Sequence, residues 1–192
     1  MSQARPKNSD ARQRLLETAE RLFYSDGIHV VGIDRIIAEA GVAKMTLYNH
    51  FGSKDDLVLE VLRHREQQVN AMFAKSIQRY TRRGKSPLEA FFGGLKDWFK
   101  GDGFRGCSFI NATAELADAA HPASQFSAAH KERIHEMLRG LIVEAAGESA
   151  AEVAPAIALL VEGAIVMAVM ERSAAPADRA RDAALALVST TS

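Results

Sequence analysis

An all-α fold of about nine helices is predicted for this 192-residue chain, and three observations carry the prediction. Apolar residues recur with helical period along nearly the whole length, and no segment alternates with period two for long enough to make a strand. Start signals (Ser, Asp, Pro) and Gly stops divide the periodic stretches into helix-sized pieces. The chain is 47% hydrophobic and 25% charged, with five Pro, thirteen Gly and one Cys. Collagen-like, mucin-like, disordered and disulfide-scaffold classes are thereby excluded, and lone Cys107 has no internal partner. A chain of this size removes roughly 70% of its unfolded surface from water, enough for a core without metal or disulfide staples.

The elements follow in order. Ser9 and Asp10 cap a first helix whose apolar face is Leu15, Leu16, Ala19, Leu22 and Phe23, and Asp26-Gly27 stops it. Two short pieces follow, about Ile33–Ala40 and Lys44–His50, broken at Gly41. Ser53-Lys54-Asp55-Asp56 reads as a capping box opening a long helix to about Arg83-Gly84, roughly 40 Å at 1.5 Å per residue. Ser86-Pro87-Leu88-Glu89 repeats the start signal for a helix to Lys100-Gly101. A short helix from Ser108 to about Ala119 comes next, then one from Pro122 to Ala146-Gly147. Ser149-Ala150-Ala151-Glu152 is a third capping box, opening an apolar helix that ends near Arg172, although Pro155 implies a late start or a bend. Pro176 begins the last helix, to about Val188.

Lys+Arg and Asp+Glu each total 24, a formal net charge of zero. The two halves differ: residues 1–85 hold fifteen basic and ten acidic side chains, and residues 86–192 hold nine and fourteen. That asymmetry points to a polyanion partner for the first half. Met1–Ser9 lacks the apolar run of a secretory signal, so a cytoplasmic protein is expected. Val153–Met170 approaches membrane-span length, but it carries Pro155, Glu162 and Gly163 and reads as a helix buried among helices, with no membrane partner.

The most informative stretch runs from Gly32 to Phe51. Its two short helices share one apolar set, Ile33, Ile36, Ile37, Ala40, Val42, Leu47 and Phe51, and Gly41 sits in a tight turn between them. This is the spacing of a helix-turn-helix. The second helix then exposes Lys44, Met45, Thr46, Asn49 and His50, a face whose width fits the major groove of DNA. From period and Gly41 alone, two core-forming helices with ordinary solvated polar residues stand as the alternative.

The run Ala40-Gly41-Val42, Thr46-Leu47-Tyr48, His50-Phe51, Ser53-Lys54 and Leu57 resembles the DNA-binding head of the TetR family of bacterial transcriptional regulators, over about residues 10–60. The resemblance implies a flexible tail at 1–9, a DNA-binding domain at 10–54 and a ligand-binding and dimerisation domain at 55–192. It implies base readout from Lys44, Met45, Thr46 and Asn49, and phosphate contacts from Tyr48, His50 and Lys54. Val31-Gly32 and Ala43 depart from the family's usual hydroxyl residues, and Met45 stands where Gly is frequent, near enough to a groove to meet a thymine methyl. Gly106-Cys107 with Phe109, Asn111, Ala112, Ala114 and Glu115 is similar to a subgroup's sixth-helix segment. Arg5 and Lys7 are candidates for an extra groove or phosphate contact, whereas Arg63, Arg65, Lys75, Arg79, Arg82, Arg83 and Lys85 read as a solvated face.

One such head makes few contacts, so a two-fold homodimer on a palindromic operator is expected. Ile157, Leu160, Val161, Ala164, Ile165, Ala168 and Leu187 are the expected interface, on two helices apolar over most of their circumference. An effector pocket is expected from Phe73, Phe92, Trp98, Phe104, Phe109, Phe126, Met137 and Met167, with Asn111, Glu115 and Glu162 as polar contacts; each alone also reads as core. No catalytic, metal or cofactor motif is present: His130 and His135 are five apart, and His135-Glu136 lacks a second zinc-ligating histidine. A homodimeric repressor released by a small molecule is the expected function. A redox-responsive regulator sensing through Cys107, or a helical ligand-binding or scaffold protein without DNA binding, are the alternatives.

Overall fold

A computed structural model describes residues 7–191, with side chains from residue 10 onward; Arg5 and the side chain of Lys7 lie outside the described residues. Among the described residues there are nine α-helices, one 3-10 helix and no strand, as the apolar period predicts. They are α1 (Lys7–Asp26), α2 (Ile33–Ala40), α3 (Lys44–His50), α4 (Lys54–Thr81), α5 (Pro87–Phe99), α6 (Ser108–Leu116), α7 (Pro122–Ala146), the 3-10 helix (Glu148–Val153), α8 (Ala154–Glu171) and α9 (Ala175–Ser189).

The chain divides into two compact units that cross its linear order. The first holds the chain up to Gln67 together with Ser108–Ala128, and the second holds Gln68–Cys107 with Ala129–Ser192. The helix-turn-helix region therefore shares a unit with α6, 41 residues further along the chain than Gln67 at its start.

In the first unit the core is built on α1, whose Leu15, Leu16, Ala19, Leu22 and Phe23 are buried at the spacing the sequence shows. Ile36 and Ala40 of α2, Leu47 and Phe51 at α3, and Leu57, Val58, Val61 and Leu62 of α4 close over that face. Fully burying side chains of this size stabilises by about 1.5 to 3 kcal/mol each. In the second unit α5 presents Leu88, Phe91, Phe92, Leu95 and Phe99 to the core. Phe73 stacks on Phe91 at 4.7 Å, and Gly94 lets α4 and α5 approach closely, since a Cβ there would lie 2.7 Å from that of Ser76. The buried side of α8 (Ile157, Ala158, Val161, Ala164, Ile165, Ala168) packs on α9 through Ala177, Ala180 and Ala184.

Three boundaries differ from the sequence expectation. α1 begins at Lys7, ahead of the expected Ser9-Asp10 caps. α6 stops at Leu116, followed by Ala117 in the left-handed region (φ 52°), three residues before the expected end. The Ser149–Glu152 motif lies inside the 3-10 helix and caps nothing: Gly147 is the N-cap, and α8 starts at Ala154 because Pro155 suits only the first helical turn. By contrast, the Ser86–Glu89 box closes reciprocally, with Glu89 N donating to Ser86 Oγ at 3.3 Å and Ser86 N donating to Glu89 Oε2 at 3.0 Å.

Candidate nucleic-acid interface

The turn between α2 and α3 is set by Gly41, whose φ of 64° and ψ of 45° lie in the left-handed region that glycine adopts without strain. Gly41 N and Val42 N donate back to Ala38 O (3.3 Å) and Ile37 O (3.1 Å), closing the end of α2 with backbone alone. Arg14 of α1 adds a donor to Ala40 O at 3.2 Å. The N-caps of α2 and α3, Gly32 and Ala43, are extended and make no side-chain cap bond, in keeping with the missing hydroxyls.

α3 has seven residues and buries one of them, Leu47, fully. Anchored by Leu47 below and Phe51 at its end, it exposes Lys44, Met45, Tyr48 and Asn49, with Thr46 and His50 half-buried beside them. Met45 is 69% exposed, far more than an apolar side chain held in a core. Lys44 Nζ lies 3.2 Å from Asp34 Oδ1, a solvated pair worth about 0 to 1 kcal/mol, which a phosphate or a base edge can displace. His50 Nε2 is buried without a hydrogen-bond partner, so a phosphate contact from this ring uses Nδ1 or a rotated ring.

Lys54 differs from expectation. Its ammonium is half-buried, donates to Ile28 O at 2.5 Å and lies 6.0 Å from the Phe23 ring centre. In this arrangement it holds the α1–α2 turn, a structural role beside the phosphate contact that the resemblance implies.

The expected effector residues divide between the units. Phe109, Asn111, Glu115 and Phe126 belong to the first; Phe73, Phe92, Trp98, Phe104, Met137, Glu162 and Met167 belong to the second. Phe73 and Phe92 are core residues in contact with Phe91. Trp98 packs edge-on against Phe104 at 5.0 Å and also walls an open groove of about 450 Å³ with Met72, Lys75, Ser76, Arg79 and Asp97. Glu162 is taken by Lys131 at 2.7 Å, and Met167 is exposed. Glu115 receives Ile28 N at 2.5 Å and His29 N at 3.2 Å, a role the sequence did not signal because the two segments lie 86 and 87 residues apart. Cys107 is buried. Among the described residues no three His, Cys, Asp or Glu side chains gather as a metal site.

The expected dimer residues fall mostly on the inward face. Ile157, Val161, Ala164, Ile165 and Ala168 are buried within the chain, and Leu160 and Leu187 are half-buried. Leu159, Val166, Met167, Val169 and Met170 are the apolar side chains that α8 leaves exposed. Of the basic run from Arg63 to Lys85, Arg63 pairs with Glu60, Arg65 with Glu20, Arg79 with Asp97 and Lys85 with Glu89.

Comparison with known proteins places this geometry. Residues 15–61 match the family model of bacterial regulatory proteins of the tetR family, and residues 84–184 match a tetracyclin repressor-like C-terminal domain. The solved structure of a TetR-family transcriptional regulator from Streptomyces coelicolor superposes with a TM-score of 0.82 at 33% identity, covering 95% of this chain and 96% of that one. Among curated relatives, the transcriptional activator FasR of Mycolicibacterium smegmatis is 35% identical over 86 residues, 43% of this chain and 39% of its own length. The Escherichia coli transcriptional regulator YjdC is 23% identical over 169 residues, 88% of each chain. The first curated relatives are matched over less than half of their own length. With both family models matched in order, and a full-length structural relative at 33% identity, the chain belongs to the TetR family of bacterial transcriptional regulators.

Proposed function

We propose that the protein is a cytoplasmic, sequence-specific DNA-binding transcriptional regulator, acting as a homodimeric repressor that a small-molecule effector releases from a palindromic operator. The observation that carries this reading is α3: Leu47 and Phe51 pin it to the core while Lys44, Met45, Tyr48 and Asn49 stand in solvent on one short helix. A helix so held enters a major groove as a rigid body, with Lys44, Met45, Thr46 and Asn49 at base edges and Tyr48 and His50 at phosphates. Two copies related by a two-fold axis read the two halves of a palindrome. The exposed apolar side chains of α8 support self-association, since a stripe of that kind is stabilised by a partner helix. The stretch Glu148–Glu171, the 3-10 helix with α8, is long and apolar enough to cross a membrane, but the Lys131–Glu162 pair on it supports packing within the protein.

Release needs an effector that binds better to a state in which the heads no longer match successive grooves; DNA affinity then falls by that preference. The groove walled by Met72, Trp98, Lys75 and the Arg79–Asp97 pair offers an apolar surface with charged groups at its edge within the second unit. Selection of duplexes from a random library tests the DNA reading. The expected outcome is one enriched palindromic sequence protected on both half-sites, and no enrichment would refute it. A reporter gene carrying that sequence then distinguishes repression, expected here, from the activation for which FasR is named.

A further inference from the structure

We infer that Glu115 of α6 is a positioning residue for DNA reading, a carboxylate that fixes the turn from which the DNA-reading helices depart; the inference rests on the DNA-binding reading above. The α1 helix ends at Asp26, and Gly27 (φ 97°) reverses the chain. Beyond it Ile28 N and His29 N emerge in succession, and both are directed at Glu115 Oε2, at 2.5 and 3.2 Å. Consecutive amides converging on one oxygen make a small anion-holding concavity. Ile28 is buried, so losing the carboxylate would cost its amide a partner in a largely buried place.

The grip is two-sided. Lys54, the first residue of α4, takes Ile28 O at 2.5 Å, so a single residue of the turn is held at N–H by α6 and at C=O by α4. The His29 ring returns the contact, its Nε2 lying 2.5 Å from Glu115 O, an end carbonyl of α6 that the helix itself cannot satisfy. Gly27 is shaped to this carboxylate as well as to the turn, since a Cβ there would sit 2.9 Å from Oε2. Val31 N then donates to Gly27 O at 3.2 Å, Val31 is fully buried, and Gly32 caps α2. From the carboxylate to the N-cap of α2 the turn is held through buried Ile28 and Val31 while His29 and Val30 stand exposed, so a displacement of α6 moves the turn and, through α2, the α3 face.

Duplex binding and amide exchange test this together. The probes are the duplex enriched by the wild-type protein and a scrambled duplex of equal length. Glu115→Ala is expected to weaken the enriched duplex on the order of tenfold, the loss for stranding one buried amide, and the scrambled duplex by less than about twofold. Glu115→Gln keeps an acceptor oxygen and should restore most of the affinity. Glu115→Asp keeps the charge but withdraws it by one methylene and should behave as the alanine variant, with faster exchange at Ile28 and His29 and unchanged protection at Leu15 and Leu22. Should the alanine protein not fold, the aspartate and glutamine pair decides. Wild-type affinity in Glu115→Asp, equal loss on both duplexes, or equal damage from Gln and Ala overturns the inference while leaving DNA binding intact. No enriched duplex for the wild type overturns both.

Discussion

At the scale of single residues, the interface mixes groups waiting for a partner with groups that have found one. Met45 stands 69% exposed on a helix whose neighbours are polar, so it contributes nothing to the core and is free to meet a thymine methyl. Met45→Ala is expected to leave stability within about 0.5 kcal/mol of wild type and to lower discrimination at one operator position by about 1 kcal/mol. Selection with the variant reads this, and unchanged preference at every position would refute the contact. Lys54 is the opposite case, with its ammonium on the Ile28 carbonyl. Lys54→Met should lower the urea unfolding free energy by about 1 to 2 kcal/mol, whereas a lysine serving only phosphates would leave stability unchanged and reduce the salt dependence of DNA binding.

At the scale of elements, identical sequence signals meet different fates according to what surrounds them. Ser86 and Ser149 both stand three residues before a Glu, yet only Ser86 closes its box, because Pro155 moves the start of α8 past Ser149. Ser86→Ala is expected to cost about 1 kcal/mol in thermal or urea unfolding, and Ser149→Ala less than about 0.3 kcal/mol. The α5–α9 contact carries a pH signature. The Lys96 ammonium, hydrogen-bonded at 2.6 Å, holds the Asp178 carboxyl below the usual carboxylate range, with Arg181 adding to the effect. A depressed folded value means that the stabilisation is complete above the ordinary value near 3.8 and is lost as the pH falls through the lower folded one. Asp178→Asn should therefore be less stable than wild type by about 0.5 to 1 kcal/mol at pH 6, with the difference shrinking as the pH falls below the ordinary value near 3.8 and gone below the lowered folded value. A difference that persists at low pH would assign the loss to packing.

At the scale of the whole molecule, charge follows the units and not the linear halves. The unit with the helix-turn-helix holds ten basic and twelve acidic side chains, and the other fourteen and twelve. The basic excess of residues 1–85 thus comes from the stretch after Gln67, which belongs to the second unit. In the proposed DNA-bound dimer, attraction to phosphates rests on local groups such as Lys44 and on the pairing of two heads, since the head unit has no net positive charge to supply it. Leu159 and Met170, 75% and 73% exposed on α8, mark the surface proposed for a second copy. Leu159→Glu is expected to give a monomer by light scattering at micromolar concentration with the helix content unchanged. Ile157→Ala, on the buried side, should instead lose about 2 to 5 kcal/mol of folding stability. A Leu159→Glu dimer would move the interface elsewhere.

The sequence by itself determined the all-α class, the Gly41 turn, the burial of Leu47 and Phe51 and the exposure of Lys44, Met45 and Asn49, since each rests on a period or a backbone preference acting within a few residues, whereas Thr46 and His50 are half-buried and Tyr48 stands exposed in their place. It was ambiguous wherever a helix is apolar on all sides. On α8 the inward residues Ile157, Val161 and Ala164 and the outward Leu159, Val166 and Met170 belong to one chemistry, and only packing against α9 separates them. It was silent where a polar group is satisfied across a long loop. Glu115 reads in the sequence as a pocket residue and Lys54 as a phosphate contact, and neither reading signals the bonds that α6 and α4 make to the Ile28 peptide. Local preference is written in neighbouring residues, but which buried donor meets which acceptor is decided only when distant helices close on one another.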